Sequence, residues 1–287
     1  MVRDQLVRAD LVRQLELLQT LLREQPYSDE MCLPDHDTEH IIAQGKAMGY
    51  IEVEPHALGD LVLTVREQAV AMTYFRNNIL HLFAVPATVA ACFINRERLP
   101  LEEINRLVLL GYPFLKSELF LHWSSEELDQ QVAAILELFC AQNLIRKEAN
   151  EFCRNTDDDG AMVHLMLLAQ SIMPALQRYY LTAVILGRKG SGQLKQSELE
   201  MLCEQCAERL AIMHGLRSPD YFERKLFKSF VQTLKDQNFL EVDEDGLLHF
   251  LANIGAVEQE ASLLLEEQIR HSVKSIAHGS LQVEAID

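Results

Sequence analysis

No stretch of this sequence offers the roughly 20 consecutive apolar residues that a membrane-spanning helix needs. The apolar run Ile79 to Ile94, nearly free of charge, has 16 residues and is interrupted by Pro86. The N-terminal MVRDQLVRADLVRQ lacks both a continuous apolar core and a small-residue cleavage site, so neither a signal peptide nor an anchor is expected. Positive charge is scarce as well. With 26 Lys and Arg against 43 Asp and Glu, the formal charge is −17, which repels a phosphate backbone and makes nucleic acid an unfavoured partner. Six cysteines fall mostly inside apolar helical patterns rather than at loop spacings, the usage of buried free thiols in a reducing compartment. The expectation is a chain made and kept in the cytosol.

Recognisable catalytic and ligand-binding motifs are missing too. There is no GxSxG, and no serine or cysteine sits in a recognisable setting with His and a carboxylate. Cys203 and Cys206 have CxxC spacing but supply two ligands where a structural zinc needs four, and no second pair follows. The run Gly187 to Gly192 imitates a phosphate loop, yet Gln193 stands where that loop needs Lys. Asn155 to Gly160 and Asp243 to Gly246 imitate calcium loops, with Met166 and Ala252 where a bidentate Glu belongs. All of these read as buried thiols or turns, and no metal, cofactor or catalytic residue is assigned.

What is present is a globular composition, 48% hydrophobic and 24% charged, with a threefold pattern. Leu11, Leu15, Leu18 and Leu22 recur at helical spacing and give an amphipathic helix that ends before Pro26. A second helix capped by Asp37 or Thr38 stops at Gly49, and YIEVEPHALGDLVLTV reads as a β-hairpin. Helix, capped helix and hairpin return twice, with caps expected at Ser125 and Asp220. The helix-to-hairpin junctions at Gly49, Asn143 and Asn238 are 94 and 95 residues apart.

The fold class expected is therefore mainly α with short β-hairpins: three winged-helix-like units joined by hydrophobic helices. The units span 1–65, 96–156 and 193–252. Connector helices span 66–95 and 161–188, each interrupted by a proline (Pro86, Pro174), with a break expected near Val85. Residues 256–287 form a last helix, Ala256 to Ile276, and a tail disordered after Ala277. A winged helix invites a DNA-binding reading. The second helix of the middle unit, however, carries Glu126, Glu127, Asp129 and Glu137 and no cation.

One polar cluster stands out within the first connector: Tyr74, Arg76, Asn77, Asn78 and His81. A core helix has no need of it. It serves either as a set of helix-packing hydrogen bonds or as a surface facing a partner domain or an anionic ligand.

At these residues the sequence resembles the membrane-bound bacterial glycerol-3-phosphate acyltransferases of the PlsB type. The resemblance lies in GDLVLTVREQAVAMTYFRNNILHLFAVP, GYPFLKSELFLHW, ALQRYYLT, and RLAIMHG with SPDYFERKLF. It implies the C-terminal region of an enzyme that moves a fatty acyl group from acyl-CoA or acyl carrier protein to glycerol 3-phosphate. That reaction begins phospholipid synthesis at the cytoplasmic side of the inner membrane. The family's catalytic signature is His-x4-Asp, with His as general base. None of the ten histidines here has Asp five positions on. The resemblance thus implies a scaffold whose partner is the acyltransferase domain that precedes this region, and isolated 287-residue chain without activity. The alternative is a winged-helix-like interaction or regulatory protein with no enzymatic role.

Overall fold

Short polar side chains cap the starts of four helices, and left-handed residues stop several others. The computed structural model describes residues 5–57, 59–214 and 223–283. The chain is mainly helical with small antiparallel sheets. Strand β1 (Gln5–Val7) leads into α1 (Arg8–Glu24), α2 (Thr38–Ala47) and the hairpin β2 (Ile51–Glu54), β3 (Leu61–Thr64). After a single 3-10 turn comes the long helix α3 (Ala69–Cys92). The order then repeats as β4 (Arg98–Pro100), α4 (Leu101–Leu119), α5 (Ser125–Ala141), β5 (Ile145–Glu148) and β6 (Glu151–Arg154). Helices α6 (Asp159–Gln170) and α7 (Met173–Lys189) lead to α8 (Gln196–His214), α9 (Arg224–Asp236), β7 (Leu240–Val242) and β8 (Leu248–Phe250). Two helices close the described chain, α10 (Ile254–Ser262) and α11 (Glu267–Val283).

The repeat is written in the backbone. Gly49, Asn143 and Asn238 all adopt left-handed conformations, with φ of 72°, 56° and 58°. The next residue in each case bonds back across the helix end: Tyr50 N–H to Gly45 C=O at 3.0 Å, Leu144 to Phe139 at 2.9 Å, and Phe239 to Leu234 at 2.8 Å. This is the six-to-one bond that satisfies a terminal carbonyl. The same residue's carbonyl then accepts from the far end of the hairpin, from Val65, Asn155 and Leu251 respectively. Asp37 caps α2 by accepting from His40 N–H. At α5 the cap is Ser124, not Ser125, because Ser124 is extended and stands three residues before Glu127, completing a reciprocal capping box. The expected cap Asp220 lies outside the described residues.

The sequence reading missed a strand before each of the first two helix pairs. β1 pairs with β3 (Gln5↔Leu63), giving the order β1-β3-β2, and β4 pairs with β6 (Leu99↔Phe152), giving β4-β6-β5. Before α8 a single bridge, Lys195↔Leu247, holds the corresponding place beside β7 and β8. Three residues are too few for an alternation to register.

The first connector departs from expectation. α3 runs 24 residues without a break although Pro86 lies inside it. Proline there leaves the Leu82 carbonyl without its usual donor. The cost is offset by packing: every residue from Phe83 to Cys92 is buried. The second connector does break. α6 and α7 meet at a 64° bend around Ser171 and Ile172, and Pro174 falls in the first turn of α7, where a missing N–H costs nothing. α6 thereby folds against α1 and α3, while α7 is enclosed by α8, α10 and α11. Among the described residues no single helix is long and apolar enough to cross a membrane. The expected single helix from Ala256 to Ile276 is two, α10 and α11, with Asn253 capping α10. α11 continues past Ala277 to Val283 in place of the expected disorder, since Val273, Ile276 and Ala277 are buried and anchor it. Residues 284–287 lie outside the described residues.

Candidate functional site

The unbroken course of α3 gives it two unlike halves. From Phe83 onward it is core, whereas Val70, Tyr74, Phe75 and Ile79 are 67%, 64%, 51% and 49% exposed. The sequence cluster lies on this exposed half. Tyr74, Asn77, Asn78 and His81 stand at i, i+3, i+4 and i+7, one stripe of a helix. Arg76 is off the stripe but turns towards it, donating from Nε (3.2 Å) and Nη2 (2.8 Å) to Asn77 Oδ1. The Asn77 amide is therefore held with its oxygen engaged. Tyr74 packs on Phe75, and Phe75 in turn meets Tyr50 from the first hairpin edge to face, with ring centroids 5.8 and 5.9 Å apart.

His81 belongs to a different group. Its ring meets Tyr27 edge-on at 4.9 Å, and Tyr27 also contacts His122 at 4.6 Å and Trp123 at 5.1 Å. Burial pushes the Tyr27 hydroxyl pKa upward, and that hydroxyl donates to Phe120 C=O at 3.2 Å. Phe120 is left-handed (φ 57°) and 85% exposed, an uncommon conformation for a bulky residue. The structure thus brings Tyr74, Arg76, Asn77 and Asn78 together and joins His81 to an aromatic cluster that sequence reasoning missed. Tyr27, Phe120, His122 and Trp123 come from two loops that converge only in the fold, so no spacing could signal them. Beside Tyr50, a cavity of about 430 Å³ is floored by Ile51, Val53 and Val65 and rimmed by Lys46, Glu52 and Glu54.

The two connectors share an arginine next to aromatics but use it differently. Arg178 is 4% exposed and pairs with Glu118, which also accepts from the Tyr179 hydroxyl at 2.7 Å. Burial, then the Glu118 charge, holds the Tyr179 pKa well above the usual tyrosine range. That arrangement is closed and structural, whereas the Arg76 group faces outward.

The motif look-alikes resolve into local structure. Cys203 and Cys206 are buried on α8, and burial raises the Cys203 thiol pKa far from thiolate chemistry. Asp243 accepts from the backbone of Asp245 and Leu247 and from His249 Nε2 at 2.7 Å, which closes a turn. Asn155 and Asp158 do the same for Asp157 and Gly160. Among the described residues no group of three or more His, Cys, Asp or Glu could hold a metal ion. The exposed face of α3 offers ring surfaces and fixed amides, which suits binding; it presents no nucleophile with a base beside it.

Residues 2–243 match the family described as the glycerol-3-phosphate acyltransferase C-terminal region. Curated relatives carry the name glycerol-3-phosphate acyltransferase. The Pseudomonas fluorescens protein is 39% identical over 268 residues, covering 93% of this chain and 32% of the relative. The Pseudomonas paraeruginosa protein is 38% identical over 276 residues, 96% of this chain and 33% of the relative. The Xylella fastidiosa protein is 35% identical over 273 residues, 94% and 32%. The chain spans about a third of the length of the curated relatives it matches.

Proposed function

Because this chain belongs to the glycerol-3-phosphate acyltransferase C-terminal region family, we propose that it is the scaffold region of such an acyltransferase. In this reading it supports a catalytic domain that supplies the chemistry, and it docks that domain through the outward face of α3. The reaction served is acyl transfer from acyl-CoA or acyl carrier protein to glycerol 3-phosphate, at the cytoplasmic face of a bacterial inner membrane. The observation that carries the reading is the likeness to named acyltransferases along nearly the whole chain, coupled with 287 residues in which no histidine has Asp five positions on. General-base catalysis on the glycerol hydroxyl needs a base in reach of that proton.

Each helix-helix-hairpin unit reads as winged-helix-like, and in the first two a strand before the helices pairs with the second hairpin strand. In two units the second helix is turned inward: α5 packs on α3 and α4, and α9 on α4, α7 and α8. These helices serve packing within the chain in this reading, which leaves the units as spacers around two apolar connectors.

The test is direct. Purified chain, given glycerol 3-phosphate with either acyl donor, is expected to release no lysophosphatidate above a protein-free blank. Turnover that disappears on substituting any one histidine would overturn the reading.

A further inference from the structure

We propose that the exposed half of α3 seats an amphipathic helix from the polypeptide that precedes this region in the family's full-length proteins. This rests on the scaffold reading above and names the docking partner's form. The surface has the composition of a protein interface centre: Tyr50, Val70, Tyr74, Phe75 and Ile79 supply apolar area around two side-chain amides, Asn77 and Asn78. Tyr50 is only partly covered, and the others of this group are exposed.

The form of the occupant follows from how the rest of the two connectors is covered. The C-terminal half of α3 is packed by α4, α5 and α6, and α7 by α8, α10 and α11. Within this chain, helices cover connector helices. By its place in the repeat, the first half of the second connector is α6, and its 64° bend tucks it against α1 and α3. The first half of α3 has no such bend and stands bare along a ridge of i, i+4 side chains, the surface into whose grooves another helix packs. The occupant is protein chain from outside the matched region because two thirds of each relative lies there.

A lipid surface fits less well. Helices that lie on membranes carry a Lys- and Arg-rich polar face that meets anionic headgroups. From Arg66 to Cys92 there are two cations, Arg66 and Arg76, on a chain of net charge −17, and Arg76 is engaged with Asn77.

The test places photoreactive benzoylphenylalanine at position 74 in the full 287-residue chain, joined behind the part of the Pseudomonas fluorescens relative that precedes its matching region. A second label at Met201, exposed on α8, is the control. The unaltered Pseudomonas fluorescens protein, labelled at the position aligned with Tyr74, gives a parallel measurement should the fusion fold poorly. Irradiation is expected to give an adduct within the preceding polypeptide at position 74, several-fold above the control. That adduct supports the proposal whether or not the chain alone proves active. Either protein transferring acyl groups yet giving no adduct at position 74 beyond the control would overturn the docking face while leaving the scaffold reading intact. Labelling of phosphatidylethanolamine–phosphatidylglycerol vesicles in place of protein would overturn it in favour of lipid.

Discussion

His164 carries the clearest proton-linked term among the core residues. It is 1% exposed, its Nδ1 donates to Gln14 Oε1 at 2.9 Å, and its Nε2 is buried without a partner among the described residues. Burial and the nearby Arg13 cation lower its pKa, against weaker opposing pulls from Asp10 and Asp158. A histidine whose pKa is depressed in the fold contributes stability that is complete above the unfolded value near 6.5 and is lost as pH falls below it. Urea midpoints are therefore expected to decline from pH 7 towards pH 5, with a slope of at most about 1.4 kcal/mol per pH unit. His164→Gln is expected to flatten that slope; an unchanged slope would locate the titration elsewhere. Carboxylates such as Glu103 and Asp158, lowered chiefly by Arg96 and Arg13, act only at more acidic pH. Arg178 offers a second test. Arg178→Met strands the Glu118 charge in the core and is expected to cost about 3–5 kcal/mol in urea unfolding. Adding Glu118→Gln, which keeps an acceptor for Tyr179, is expected to recover much of the loss.

At the scale of elements, the helix stops were the most legible feature. Gly49, Asn143 and Asn238 were identifiable because few other residues tolerate a left-handed turn, and the structure puts all three there. Replacing any of them by Ala is expected to lower stability by about 1 kcal/mol. Ala149 → Gly should raise it by a similar amount, since Ala149 turns the β5–β6 hairpin at φ 54°. Thermal midpoints check both signs. The proline breaks were less legible. Local chemistry treats Pro86 and Pro174 alike, but burial around Val85 holds α3 together while Pro174 only begins a helix. Ser124 was missed in favour of its neighbour because the box partner Glu127 decides the cap, and that choice needs the reciprocal geometry.

For the molecule as a whole, helix content, hairpins and threefold spacing could be read from the sequence, because they depend on local periodicity and turn chemistry. The candidate site could be read only in half. The stripe from Tyr74 to His81 is continuous in sequence, whereas Tyr27, Tyr50, Phe120 and Trp123 reach it from separate segments. Which half of α3 is bare depends on where α6 folds back, and that is a property of the 64° bend.

The middle strand of each three-stranded sheet is the last of its unit in the sequence. Gln5 meets Leu63, and Arg98 meets Cys153. During synthesis the first strand therefore waits for more than 50 further residues before its partner exists. At ~10 residues per second that is about five seconds, with the next unit due about ten seconds later. Each sheet closes as a discrete late event on the ribosome, and until then the apolar faces of its two helices are exposed to whatever the cell provides to shield them.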